Sequence, residues 1–353
     1  MSDMSTGQPV TEAAATRQDT VRVEKEAART DPDKGHGFLS GAGHNLGLVL
    51  ALVLLAVVGV ITGGDRFASV DNLMTILRLA AVIGVVSVGM TFVITGGGID
   101  LSVGALVALS SVWCTTLATQ TLANDFHWIV MATTAVLVGA ACGLVNGILV
   151  AYGGVVPFIA TLAMMASARG LAELISDRKT QIVTVPAFTD ALDRDVLGIP
   201  LLVWIFAVVA VLGWVLLNRT TFGRRTLAVG GNPEAARLAG IDVKRHSVLL
   251  YVLVGFCCGI AAIMLISRTT TGSATHGELY ELEAIAAVVI GGTLLSGGRG
   301  TIVGTVFGVL IFQTLSNVFT INNLSTSAQD VVKGLIIVVA VLLQKRFARR
   351  PSS

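Results

Sequence analysis

Residues 219–246 read RTTFGRRTLAVGGNPEAARLAGIDVKRH, a polar, basic island between two long apolar segments. Its reading decides the fold, because a short helix enclosed by such segments lies at a membrane surface and not within the bilayer. Asn232 is a good helix N-cap, and Pro233 suits the first helical position, where a missing N–H costs nothing. Glu234 favours the positive end of the helix dipole, and Gly240 offers the left-handed residue that ends a helix. The expectation is about two turns of helix, held at the surface by the flanking spans and placed to press on another protein.

Outward from this island the composition is that of a membrane protein. Hydrophobic residues make up 54% of the chain and charged residues 13%, and mean hydropathy is +0.81, which excludes a single soluble core. The net charge of +2 gives no argument for nucleic acid, while 39 glycines suit close helix packing in lipid. Cys114, Cys142, Cys257 and Cys258 all fall in apolar stretches without a CxxC pair, as buried small apolar side chains do. Residues 1–45 are polar and read as a disordered cytoplasmic tail. They do not resemble a secretory signal, so the first apolar segment is expected to stay in the mature protein.

A window of ~19 residues gives about ten candidate spans, so the fold class is an all-α polytopic membrane protein. They lie near 46–62, 79–95, 101–121, 128–151, 156–175, 198–217, 247–267, 283–297, 301–320 and 328–345, within a transmembrane domain over 46–345. Around 96–101 and 298–300, glycine-rich turns mark either broken helices or separate spans. Arg219, Arg224, Arg225, Arg237, Lys244 and Arg245 place the 219–246 loop in the cytoplasm, and Lys345, Arg346, Arg349 and Arg350 do the same for the C-terminal end, with a basic tail over 346–353. Four spans after the loop and six before it put both termini inside. The 176–197 connection, with Asp177, Asp190, Asp193 and Asp195, then faces outside.

The two glycine-rich breaks correspond. Residues 97–104 read GGIDLSVG and residues 297–304 read GGRGTIVG, pairing Gly97, Gly98, Val103 and Gly104 with Gly297, Gly298, Val303 and Gly304. Breaks of this kind, each between a span running inward and one running back, are the pattern of a parallel internal repeat and point to a translocation path. The alternative is a pair of tight turns that need positive φ. Asp100 either caps the helix starting near Leu101 or lines a polar pathway, with Ser102 beside it; capping is the expectation. Asn146, Gln313 and Asn317 are the other polar residues singled out within spans. Gln313 and Asn317 share one helix face and either line a cavity or bond to a neighbouring helix. Glu283 and Asp330 are expected near outer ends, and the spans are expected to hold no relay of ionisable groups. There is no G-x-x-x-x-G-K-[ST], no H-E-x-x-H, no metal-spaced His/Cys cluster and no nucleophile elbow, so no catalytic residue, metal or cofactor is expected.

These residues carry a resemblance. The chain resembles the membrane permease subunit of bacterial ABC importers for monosaccharides of the ribose, xylose, arabinose and galactose type, over roughly residues 65 to 345. TGGGIDLSVGALVAL at 95–109 is the most specific match. GRRTLAVGGNPEAARLAGIDV at 223–243, ELEAIAAVVIGGTLLSGGRGTIVGTVFGVL at 281–310 and VPFIATLAMM at 156–165 follow in order. The resemblance implies a homodimer or heterodimer with a second permease subunit in the bacterial cytoplasmic membrane, bound to cytoplasmic ABC ATPase subunits and fed by an extracytoplasmic sugar-binding protein. It also implies that Asn232, Pro233, Glu234, Ala235, Ala236 and Gly240 form the short coupling helix that enters a groove on the ATPase. The second, fifth, eighth and ninth spans are then expected along the dimer seam. The rival readings are the same architecture serving branched-chain amino acids, and a secondary carrier or channel working without ATP.

Overall fold

A computed structural model describes residues 36–348 of the 353. The chain divides into units 1–46 and 47–353, and apart from the start of the first helix everything below concerns the second. Of the tail expected over 1–45, residues 1–35 lie outside the described residues and 36–45 belong to the first helix, and most of the basic tail over 346–353 also lies outside.

The described residues are helical apart from turns and four two-residue strands. Helix α1 (His36–Gly63) leads into α2 (Val70–Thr95), which starts where the Ser69 side chain accepts the Asn72 N–H at 3.2 Å. Every residue of α2 from Ala80 to Thr95 is buried. A helix rich in Ala, Val and Gly on all sides can occupy the centre of a bundle, because no face of it needs water. Around it run α3 (Val103–Cys114), α4 (Leu117–Asp125), α5 (Ile129–Ala151) and α6 (Pro157–Ser176). A connection over 177–200 carries the small helix α7 (Pro186–Leu192) and strands β1 (Gln181–Ile182), β2 (Asp195–Val196) and β3 (Ile199–Pro200). The chain continues through α8 (Leu201–Arg219), α9 (Thr221–Gly231), α10 (Pro233–Leu238) and α11 (Val243–Thr269). Strand β4 (Thr271–Gly272), paired antiparallel with β1, leads to α12 (Tyr280–Ile290), α13 (Ile302–Ile321) and α14 (Thr326–Ala348).

Seven of these helices are long and apolar enough to cross a membrane, and there are eight when α3 and α4, bent by 57°, are counted together as one broken span. The expected span at 283–297 is corrected. Its helix is α12, which has 11 residues and ends at Ile290, so it reaches only ~16 Å. Turn backbone over 273–279 leads into it alongside α3. Gly272 lies against Ser111 and Thr115 near the end of α3, and Gly277 against Gly104 at its start. Hydropathy alone hides this, because glycine and leucine keep 291–297 apolar although no helix forms there.

Helices α3 and α12 therefore begin beside one another and run apart, each preceded by non-helical backbone. A methyl group on Gly104 would stand 2.6 Å from Glu281 Oε2, and one on Gly277 would stand 2.6 Å from the Gly104 carbonyl oxygen. Such backbone is tolerated within a membrane where protein donors satisfy it. The Arg169 guanidinium donates to the Ala274 carbonyl and, at 2.9 Å, to that of His276. Ser111 Oγ donates to the Ser273 carbonyl at 3.3 Å.

The tightest helix pair is α5 with α11. Methyl groups on Gly139, Gly143 and Gly147 would stand 2.9 Å from Gly259 N, 2.9 Å from the Tyr251 carbonyl carbon and 2.8 Å from Val248 Cα. Glycine every fourth residue lets two backbones meet where no hydrophobic effect drives helices together in lipid.

A glycine junction beneath a capped surface helix

At one end of the bundle, Thr95, Ala151, Pro157, Arg219, Val243 and Ile302 are helix termini, and basic residues gather; this is the basic end. Two cation–π contacts mark its rim, Arg219 over Trp214 at 5.3 Å and Lys244 over Tyr152 at 5.6 Å.

Helix α10 lies here, and its boundaries follow from local chemistry. Asn232 Oδ1 accepts the Ala235 N–H at 3.0 Å, and Pro233 takes the first helical position. Past the C-cap residue Ala239, Gly240 has φ +82°. The Gly240 N–H reaches the Arg237 carbonyl and the Ile241 N–H reaches the Ala236 carbonyl, both at 3.0 Å. That pair of bonds is the glycine-ended Schellman motif, which satisfies carbonyls the helix leaves free. Ala236 is buried, whereas the side chains of Glu234 and Arg237 are 66% and 65% exposed and joined at 2.6 Å. The Glu234 carboxylate beside it holds the Arg237 guanidinium above its ordinary pKa. Leu238 is also exposed, so α10 presents an acid, a base and an apolar side chain on a rigid, doubly capped turn.

Immediately before α10, the last turn of α9 enters the bundle. Here the structure brings Gly97, Gly297 and Gly298 together, whereas Gly98 faces Tyr251 and Val93. The Gly298 N–H donates to the Thr95 carbonyl at 2.9 Å. A methyl on Gly297 would stand 2.9 Å from Gly97 Cα and 2.7 Å from the Gly230 carbonyl oxygen. A methyl on Gly230 would be driven into the Thr95 carbonyl oxygen and stand 2.7 Å from Gly298 N. Gly97 and Gly297 have φ +85° and +82°, which L side chains rarely adopt. The two breaks, far apart in sequence, therefore touch each other and the same helix end, backbone against backbone.

Asp100, Ser102 and Asn146 form a second group deeper in the bundle, and all are fully buried. Asp100 stands two residues before Ser102, the N-cap position of α3. Its Oδ1 accepts the Ser102 N–H at 2.8 Å and the Ser102 hydroxyl at 2.6 Å. Asn146 Nδ2 donates to Ser102 Oγ at 2.9 Å. The carboxylate thus closes an Asx turn that launches α3 one residue pair later than Leu101.

Gln313 and Asn317 belong to neither group. Gln313 Nε2 donates to Glu283 Oε2 at 3.2 Å, and Asn317 exchanges amide hydrogen bonds with Asn72 at 3.1 and 2.8 Å. Both are bonds between helices. Glu283, in the first turn of α12, is paired with Lys333 of α14 at 2.8 Å, with side chains 16% and 17% exposed. Together with Arg169, these groups show that the crossings do contain ionisable side chains. Arg169 and Lys333 were readable as charges inside apolar windows, and the Gly139–Gly143–Gly147 spacing as a packing stripe. Nothing local marks Gly230 as a contact of two distant breaks.

A family described as branched-chain amino acid transport system / permease component matches residues 72–341. The chain is 40% identical over 328 residues to the ribose import permease protein RbsC of Bacillus subtilis (strain 168), covering 92% of this chain and 99% of that one. It is 38% identical over 306 residues to RbsC of Escherichia coli (strain K12), covering 85% and 92%. It is 39% identical over 288 residues to the L-arabinose transport system permease protein AraH of Escherichia coli (strain K12), covering 79% and 84%. No solved structure matches the chain.

Proposed function

The chain belongs to the branched-chain amino acid transport system / permease component family, and from that premise we propose that it is the membrane-spanning subunit of an ATP-driven importer of a monosaccharide. The observation that carries the sugar is the 40% identity to a ribose import permease over 92% of this chain and 99% of the relative. The L-arabinose relative supports the same class. The family description names branched-chain amino acids, and that substrate is the second reading.

In this reading the basic end faces the cytoplasm, both termini are cytoplasmic, and the 177–200 connection faces the external sugar-binding protein. Residues 46–345 form the permease domain between the tails over 1–45 and 346–353. The chain performs no hydrolysis itself. Two ATPase subunits engage the α10 helices of a permease dimer, and Asn232, Pro233, Ala235, Ala236 and Gly240 hold Glu234 in place against them. ATP-driven closure moves α10 and rocks the bundle between outward- and inward-open states. The broken crossings, with Gly97, Gly98, Asp100, Ser102, Asn146, Gly297 and Gly298, adjoin the path, whereas Gln313 and Asn317 serve helix packing.

The test is purification of the tagged chain from its own membranes in mild detergent, with mass spectrometry of stoichiometric companions and uptake of labelled ribose and leucine. A co-purifying ATPase and ribose uptake, both lost in Glu234→Lys while the chain still inserts, is the expected result. Leucine uptake without ribose uptake would install the amino-acid reading. Transport by the lone chain in liposomes would replace ATP-driven import by an independent carrier.

A further inference from the structure

Helix α10 is too short and too peripheral to move the bundle by itself. What it adjoins matters more. Asn232 is both the C-cap of α9 and the N-cap of α10, so the two helices share one residue and no slack loop separates them. The last turn of α9 meets backbone from two places at once, the 95–98 break through Thr95 and the 297–298 break through Gly297 and Gly298. None of these contacts runs through a flexible side chain. Close-packed backbone has no rotamer with which to absorb displacement, so it passes displacement on.

Each break leads to a discontinuous crossing. The 95–98 break leads through the Asp100 turn to α3, and the 297–298 break lies between α12 and α13. The starts of α3 and α12 meet again at Gly104 and Gly277. A displacement entering at Gly230 therefore reaches both broken crossings from the basic end.

We infer that Gly230 is a positioning residue for transport, the point at which movement of α10 is delivered to both broken crossings together. This inference rests on the reading of α10 as the ATPase contact. It adds that the two crossings cannot respond separately, because Gly298 hydrogen-bonds Thr95 across the same junction that holds Gly230.

The first test uses the wild-type permease assembled with its ATPase, with hydrogen exchange compared before and after addition of a non-hydrolysable ATP analogue. Peptides covering 93–102 and 293–301 should change protection together, along with 232–240. A response at 232–240 with neither break, or only one, responding overturns the inference while leaving the ATPase contact intact. No protection of 232–240 on assembly with the ATPase removes the contact itself, and the inference with it.

The second test separates transmission from stability. Gly230→Ala should lower uptake by about tenfold while the ATPase still co-purifies and still hydrolyses ATP. Ala228→Ser, exposed on the same helix, should leave uptake and hydrolysis unchanged. Equal uptake by the Gly230→Ala and wild-type complexes would overturn the assignment. Should Gly230→Ala fail to accumulate, the wild-type exchange pattern decides.

Discussion

Lys333 donates to Glu283 Oε1 at 2.8 Å, and Gln313 donates to the other oxygen of the same carboxylate at 3.2 Å. One acid on a short helix therefore ties α12 to both α13 and α14. Within a membrane such a pair is tolerable because each charge meets its partner and each carboxylate oxygen accepts a hydrogen bond.

Removing one partner should be worse than removing both. Lys333→Met strands the Glu283 carboxylate and is expected to cost about 3–5 kcal/mol. The double variant Glu283→Gln with Lys333→Met should recover most of that loss. Thermal unfolding in detergent measures it, and a double variant no more stable than Lys333→Met would show that the charge pairing is not what holds α14.

Asp100 should tolerate loss of charge better than loss of its acceptor. Asp100→Asn keeps an oxygen for the Ser102 N–H and hydroxyl, so folding and uptake should change little. Asp100→Leu orphans both donors, at about 1–3 kcal/mol for each buried group. A well-folded Asp100→Asn complex without uptake would instead assign a role to the carboxylate charge.

Gly143 and Gly170 make an internal control for helix packing. A methyl on Gly143 meets the Tyr251 backbone, whereas one on Gly170 meets nothing within 4 Å. Gly143→Ala should therefore sharply lower the amount of folded permease, and Gly170→Ala should leave it unchanged. Gel-filtration yield of a fluorescent fusion reads both, and equal yields would remove close packing of α5 on α11 as the reason.

At the surface helix, Asn232→Ala should cost about 1 kcal/mol by freeing the Ala235 N–H, and Asn232→Asp should retain the cap. The expected readout is ATPase affinity reduced by about fivefold in the first and near normal in the second. Similar weakening in both would favour a direct contact by the amide over a capping role.

What could be read from the chain beforehand follows the range of the interactions. The ends of α10 were legible because Asn232, Pro233 and Gly240 act on their own backbone within a few residues. The glycine breaks were legible as breaks, since a run of glycines has few other uses in an apolar chain. Their meeting on Gly230 was not, because nothing in GGID or GGRG specifies a partner so far away. The half-length α12 is hidden by a hydropathy window that treats apolar turn backbone as helix. Glu283 carries no local sign of its partners, because Gln313 and Lys333 lie on later helices.

The bond from Gly298 to Thr95 also sets an order for biosynthesis. At translation rates of about 5–20 residues per second, the amide of Gly298 leaves the ribosome roughly 10–40 s after the carbonyl it must meet. During that interval the first crossings are already in the bilayer with the end of α2 unlatched. The surface that supports α10 is therefore finished only once the segment around Gly298 has been made.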